Sequence, residues 1–203
     1  MSRWIAGFMI ISSLVVSASA YAQETTPGPG KAEVTIIPGG VTFVSKKGTG
    51  PSFGNYDLGG AFAGNFSRIV GVEGELGGSL GVTQNLSPSG GLTFKEKTPN
   101  MLSYSGNVVI NASGRSVVPY ATAGVGGLTV YSRPALGIAN TDTFLTGNVG
   151  GGAKWFAGNG RWGLRGDYRF LTVKSNNTAS EFFGLTNRYA NRIYGAVIIN
   201  AVR

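Results

Sequence analysis

The side chains able to do chemistry are ionisable groups set two residues apart. Glu73 and Glu75 are the only close pair of carboxylates that a strand would put on one face, and Arg165, Asp167 and Arg169 repeat the spacing with alternating sign. Asp57 and Lys154 each stand between apolar neighbours. Two kinds of chemistry suit such a set. One is an ion path or a paired-carboxylate active site, in which one acid gives a proton and the other takes it. The other is an ion-pair network, in which opposite charges offset the cost of leaving water. The sequence has no Cys and no His. Thiolate nucleophiles, disulfides, Ser–His catalysis and His–metal sites are therefore excluded. Asp57, Glu73, Glu75 and Asp167 nearly balance Lys154, Arg165 and Arg169, which favours the network. We expect no enzyme activity, no catalytic residue, no metal and no cofactor. The glycines at 124, 126 and 127 open no helix, so they make no nucleotide loop.

The elements that must position these groups are strands. Glycine supplies 34 of the 203 residues, roughly twice the usual share, without any collagen period. Alternation of period two dominates, and helical periodicity is nearly absent. Tyr56 to Phe66 alternates large apolar residues with Asp57 and small residues. Val70 to Val82 sets Val70, Val72, Leu76, Leu80 and Val82 against Glu73, Glu75 and Ser79. The same logic predicts strands at Leu102 to Ala112, Val117 to Tyr131, Phe144 to Phe156, Trp162 to Val173 and Arg188 to Asn200. Glu33 to Ser45 is a further strand whose alternation resets at Pro38-Gly39-Gly40, as at a bulge. By parity the seven charged groups share the polar face, and Arg192 joins them if its register holds.

The connections carry more information than the strand count. Three are short, near Ser67, Gly114 and Gly158. Four are long and polar: Lys46 to Asn55, Thr83 to Met101, Ser132 to Thr143 and Lys174 to Asn187. Strict alternation of long and short is the layout of an outer-membrane barrel with short periplasmic turns and longer external loops. The polar face is crowded with small residues, as the interior of an eight-stranded barrel requires. Tyr56, Phe66, Tyr104, Tyr120, Trp155, Trp162 and Phe170 fall mostly on the other face and near strand ends, where aromatic girdles meet the lipid–water boundary. These features predict an all-β protein: an eight-stranded antiparallel up-and-down transmembrane β-barrel over residues 32–203.

The ends of the sequence fit export. Residues 1–22 read as a signal peptide, with Arg3, an apolar run from Trp4 to Val16 and Ala20-Tyr21-Ala22 before the expected cleavage. Residues 23–31 read as a flexible lead-in. No later segment resembles a membrane-spanning helix. The formal net charge of +8 is scattered, which suits anionic lipid head groups or water rather than nucleic acid. Lys46, Lys47, Lys95 and Lys97 sit in the first two long loops, where their point charges could meet lipopolysaccharide phosphates or simply face water. Phe182 and Phe183 in the last loop could dock a partner or pack against lipid.

Three segments carry a family likeness. Pro119-Tyr120-Ala121-Thr122-Ala123-Gly124-Val125-Gly126, Gly150-Gly151-Gly152-Ala153-Lys154-Trp155, and Trp162 to Phe170 resemble strands of the OmpA-type family of small outer-membrane β-barrel domains. The resemblance implies a porin-like barrel in the outer membrane of a Gram-negative cell, assembled by the barrel-assembly machinery. Members usually end in an aromatic residue that this machinery reads, whereas this chain ends Asn200-Ala201-Val202-Arg203. It also leaves no segment for the periplasmic peptidoglycan-binding domain of some relatives. The functional expectation is a non-enzymatic structural, surface-interaction or adhesion protein acting through its external loops. A narrow porin-like diffusion channel and a soluble periplasmic ligand-binding barrel are the alternatives.

Overall fold

Period-two alternation becomes strand almost everywhere in the computed structural model, which describes residues 27–114 and 116–202; the expected signal peptide lies outside the described residues. The strands are β1 (Ala32–Val44), β2 (Phe53–Asn65), β3 (Val70–Gly81), β4 (Thr83–Leu86), β5 (Phe94–Lys97), β6 (Met101–Asn111), β7 (Val117–Val130), β8 (Asp142–Phe156), β9 (Trp162–Val173) and β10 (Arg188–Val202). Eight of them close into a barrel in the order β1-β10-β9-β8-β7-β6-β3-β2, every neighbour antiparallel. Closure leaves no unpaired edge, so each ladder hydrogen bond is satisfied within the wall.

One connection departs from expectation. The stretch read as a plain polar loop after β3 contains the hairpin of β4 and β5, paired from Thr83↔Lys97 to Leu86↔Phe94. Each arm is too short to show a period in sequence, and of the residues in the two arms only Leu86 is buried. A short 3₁₀ turn, Pro134–Leu136, lies in the next long loop.

The reset in β1 is a bulge. Against β10 the register jumps between Ile36 and Gly39, and against β2 between Ile37 and Gly40. Pro38 therefore pairs with neither neighbour, as suits a residue without an N–H. Its carbonyl accepts a hydrogen bond from the Tyr56 hydroxyl at 2.8 Å.

Side-chain burial is inverted relative to a soluble barrel. Phe62, Leu76 and Leu164 are 58%, 56% and 48% exposed, while Lys154, Arg165 and Arg169 are 0%, 2% and 1% exposed. Turning apolar groups outward and sealing cations inside is favourable only where the outer medium is hydrocarbon. That excludes the soluble ligand-binding barrel.

Candidate functional site

The lumen holds three layers. At the end bearing the long loops, inward residues of the strands meet side chains of the loops. Val44, Phe53, Met101, Leu128, Val130, Phe144, Val173 and Ala190 pack with Leu86, Leu136, Ile138, Phe182 and Phe183. Phe182 stacks on Phe53 with centroids 5.7 Å apart, and Phe183 meets Phe144 edge-on at 5.6 Å. The two phenylalanines of the last loop thus face neither a partner nor lipid. They plug the mouth. Arg188 anchors the plug from below, donating Nη1 to the Phe182 carbonyl at 3.2 Å and Nη2 to the Pro51 carbonyl at 2.5 Å.

The middle layer is built by parity from β2, β3, β7, β9 and β10. Glu73 and Glu75 point inward because Val72, Gly74 and Leu76 point outward. Arg165, Asp167 and Arg169 do so because Leu164 and Tyr168 face out. Arg169 joins three carboxylates: Nη2 lies 2.7 Å from Glu73 Oε1 and 3.1 Å from Glu75 Oε2, and Nε lies 3.0 Å from Asp167 Oδ1. Arg165 pairs with Glu73 and, at 2.7 Å, with Asp167 Oδ2. Arg192 pairs with Glu75. Asp57 makes no ion pair among the described residues; it accepts hydrogen bonds from Thr42, at 2.5 Å, and from Ser79. Between this layer and the plug is a void of about 20 Å³, lined partly by Arg188 and Arg192, room for about one water.

The third layer closes the end bearing the short turns. Lys154 Nζ lies 2.6 Å from Glu33 Oε2, both fully buried. Val118, Phe156 and Ile198 pack beside them as an apolar cap. The lead-in crosses the same end: Asn200 Nδ2 donates to the Gly28 carbonyl at 3.0 Å, and Gly30 N donates to Asn200 Oδ1 at 3.1 Å. The interior thereby holds five buried carboxylates, Glu33, Asp57, Glu73, Glu75 and Asp167, and five buried cations, Lys154, Arg165, Arg169, Arg188 and Arg192.

Tyr120 corrects the sequence reading. It was expected at the membrane interface, but it is 6% exposed and lies inside the lumen. Its hydroxyl donates to Asp167 and accepts from Arg165 Nε at 2.7 Å. Parity decides this, since Val117, Pro119 and Ala121 face outward along β7. Tyr194, also missed, donates to Glu75 Oε2 at 2.9 Å and accepts from Arg169 at 3.2 Å. Glu33, Tyr194 and Arg188 could all have been found by extending strand parity along β1 and β10. The other aromatic residues named above, Tyr56, Phe66, Tyr104, Trp155, Trp162 and Phe170, stand on the outer surface.

The lysines of the long loops are exposed. Lys46 and Lys47 follow β1, and Lys95 and Lys97 lie on β5. Lys47 Nζ sits 5.7 Å from the centroid of the Tyr189 ring, which stacks on Phe170. Between Lys95 and Lys97, Glu96 pairs with Arg133 of the next loop at 2.7 Å. The Lys97 backbone N–H and the Arg133 guanidinium hold its carboxyl below the usual range.

Residues 8–191 match the model of the outer membrane protein beta-barrel domain. The chain belongs to that family. This outer-membrane barrel is also similar to solved structures. Neisserial surface protein A, NspA, aligns with a TM-score of 0.60 at 12% identity, over 85% of this chain and 99% of that one. OprG from Pseudomonas aeruginosa aligns with a TM-score of 0.49 at 14% identity, over 88% and 100%. The NspA likeness shows the shared barrel fold. No curated protein matches the sequence. Membership of the family places the barrel in the lipid of the outer membrane.

Proposed function

We propose that this outer-membrane barrel is a non-enzymatic surface protein that works through its external loops and does not conduct through its lumen. One observation carries the reading: among the described residues, an apolar plug, an ion-pair lattice and an apolar cap fill the lumen in succession. Buried pairs of this kind are expensive to separate, so an ion path along them would need the lattice to break at each passage.

The exposed Lys46, Lys47, Lys95 and Lys97 then supply cations at the level of lipopolysaccharide phosphates, and the same loops are the surface open to a partner. Residues 1–22 act as a cleaved export signal, and the barrel-assembly machinery inserts the chain. The outward aromatics Tyr56, Phe66, Tyr104, Trp155, Trp162 and Phe170 sit at the two lipid–water boundaries. Planar-bilayer recording on the refolded full chain tests the central claim. The expected trace is a flat baseline; stable, uniform openings would make it a narrow porin-like channel instead.

A further inference from the structure

The short-turn end of the barrel has a charge pattern that the lumen and the external loops do not explain. Each short turn carries one arginine: Arg68 in the first, Arg115 in the second and Arg161 in the third, with Lys31 where the lead-in enters β1. Arg115 lies outside the described residues; Arg68, Arg161 and Lys31 are exposed. The acids are distributed quite differently. Among the described residues, Glu33, Asp57, Glu73, Glu75 and Asp167 are sealed in the lumen, and Glu96, Asp142 and Glu181 are at the long-loop end. Among the described residues the short-turn surface thus carries cations and no acid; Glu24 and the C-terminal carboxylate lie outside them.

Hydrogen bonds fix the backbones of the first and third turns, which place Arg68 and Arg161 beside lipid-facing groups. In the first turn Phe66 N donates to the Val70 carbonyl at 3.0 Å, and Ser67 Oγ accepts from Val70 N at 3.0 Å. Arg68 is held at the tip between Phe66 and Ile69, which are 79% and 53% exposed. In the third turn Ala157 N donates to the Trp162 carbonyl at 3.0 Å, and Arg161 N donates to Asn159 Oδ1 at 3.1 Å. Trp155 and Trp162, outward and edge-to-face with centroids 5.7 Å apart, stand beside Arg161. An apolar anchor in the acyl region with a cation at head-group height is the arrangement that selects an anionic lipid.

We propose that this periplasmic rim binds anionic phospholipid head groups of the inner leaflet, with Arg68 and Arg161 as the contacting residues and Phe66, Trp155 and Trp162 setting their depth. The site is separate from the external lysines.

The tryptophans make the test local. The sequence has three, and replacing Trp4 with Phe leaves only Trp155 and Trp162, beside Arg161. The full chain carrying Trp4→Phe is refolded into vesicles of mixed phosphatidylglycerol and phosphatidylcholine, with either lipid brominated to quench tryptophan. Brominated phosphatidylglycerol should quench as if enriched about threefold at low salt. The preference should vanish at ~1 M NaCl, where the screening length is about 3 Å. Arg161→Gln should abolish most of it, Arg161→Lys should keep most of it, and Lys95→Gln with Lys97→Gln should leave it intact. Folding of each variant is checked by heat-modifiable gel mobility. Equal quenching by the two lipids in the parent chain, or an undiminished preference in Arg161→Gln, overturns the proposal. So does loss of sedimentation with peptidoglycan sacculi in Arg161→Gln alongside an unchanged lipid preference.

Discussion

Arg169 reaches across the lumen to Glu73, Nη2 to Oε1 at 2.7 Å, although the two are 96 residues apart in sequence. The same guanidinium serves Glu75 and Asp167. A single cation therefore offsets the burial of three carboxylates contributed by β3 and β9, strands on opposite sides of the wall order.

Removing that cation should cost far more than an ordinary surface ion pair. Arg169→Met leaves carboxylates buried with only Arg165 and Arg192 to share, and breaking a buried pair costs about 3–5 kcal/mol. Urea titration of the refolded barrel in vesicles measures it. Adding Glu73→Gln to Arg169→Met should recover part of the loss, because the uncompensated charge goes with it. A loss below about 1 kcal/mol would mean that the lattice contributes little to stability.

Strand parity made much of this legible. The alternation in β3 and β9 placed Glu73, Glu75, Arg165, Asp167 and Arg169 on one face before any fold was known, and the alternating long and short connections gave the closed barrel. Tyr120 departs from the interface expectation because its parity with Val118 and Thr122, and not its aromatic type near a strand end, sets the face it occupies. The plug was not legible at all. Phe182 and Phe183 sit in a loop without period, and their partners Phe53, Phe144 and Leu136 are brought to them only by closure of the barrel. Which carboxylate each arginine takes likewise depends on side-chain reach across the lumen.

Tyr120 offers a test of that correction. Tyr120→Phe keeps the ring but removes the hydroxyl that bridges Asp167 and Arg165, leaving buried charged groups short of a partner. The expected cost is about 1–3 kcal/mol. Tyr104→Phe, on the outer face and 46% exposed, should change stability by less than about 0.5 kcal/mol. Equal effects of the two in the same urea titration would return Tyr120 to the interface.

The plug should fail locally. Phe183→Ala removes the ring that packs against Phe53 and Phe144 and under which Arg188 lies, its guanidinium 5.5 Å from the ring centroid. In a closed core such a change costs about 3–5 kcal/mol. Here the loop is free to lift away from a wall whose ladders remain intact. Protease cleavage within residues 174–187 should therefore speed up by about tenfold or more, the signature of a sub-global opening, while the heat-modifiable band keeps its midpoint. A fall in that midpoint as large as the one for Arg169→Met would show that plug and wall unfold together.

Gly152, on the inner face, and Gly106, on the outer face, should respond to alanine with opposite signs. A methyl at Gly152 would overlap the Gly166 carbonyl and come within 2.9 Å of the Tyr120 hydroxyl, whereas one at Gly106 meets nothing within 4 Å. Overpacking of this kind costs about 1–3 kcal/mol, and in Gly152→Ala it also displaces the hydroxyl that the lattice uses. Gly106→Ala adds an apolar group to the lipid face and restricts the unfolded chain, a gain of about 0.4–1 kcal/mol. Opposite shifts of the urea midpoint are the expected result. Two losses of similar size would mean that backbone flexibility in the wall, rather than the space on each face, governs where glycine is needed.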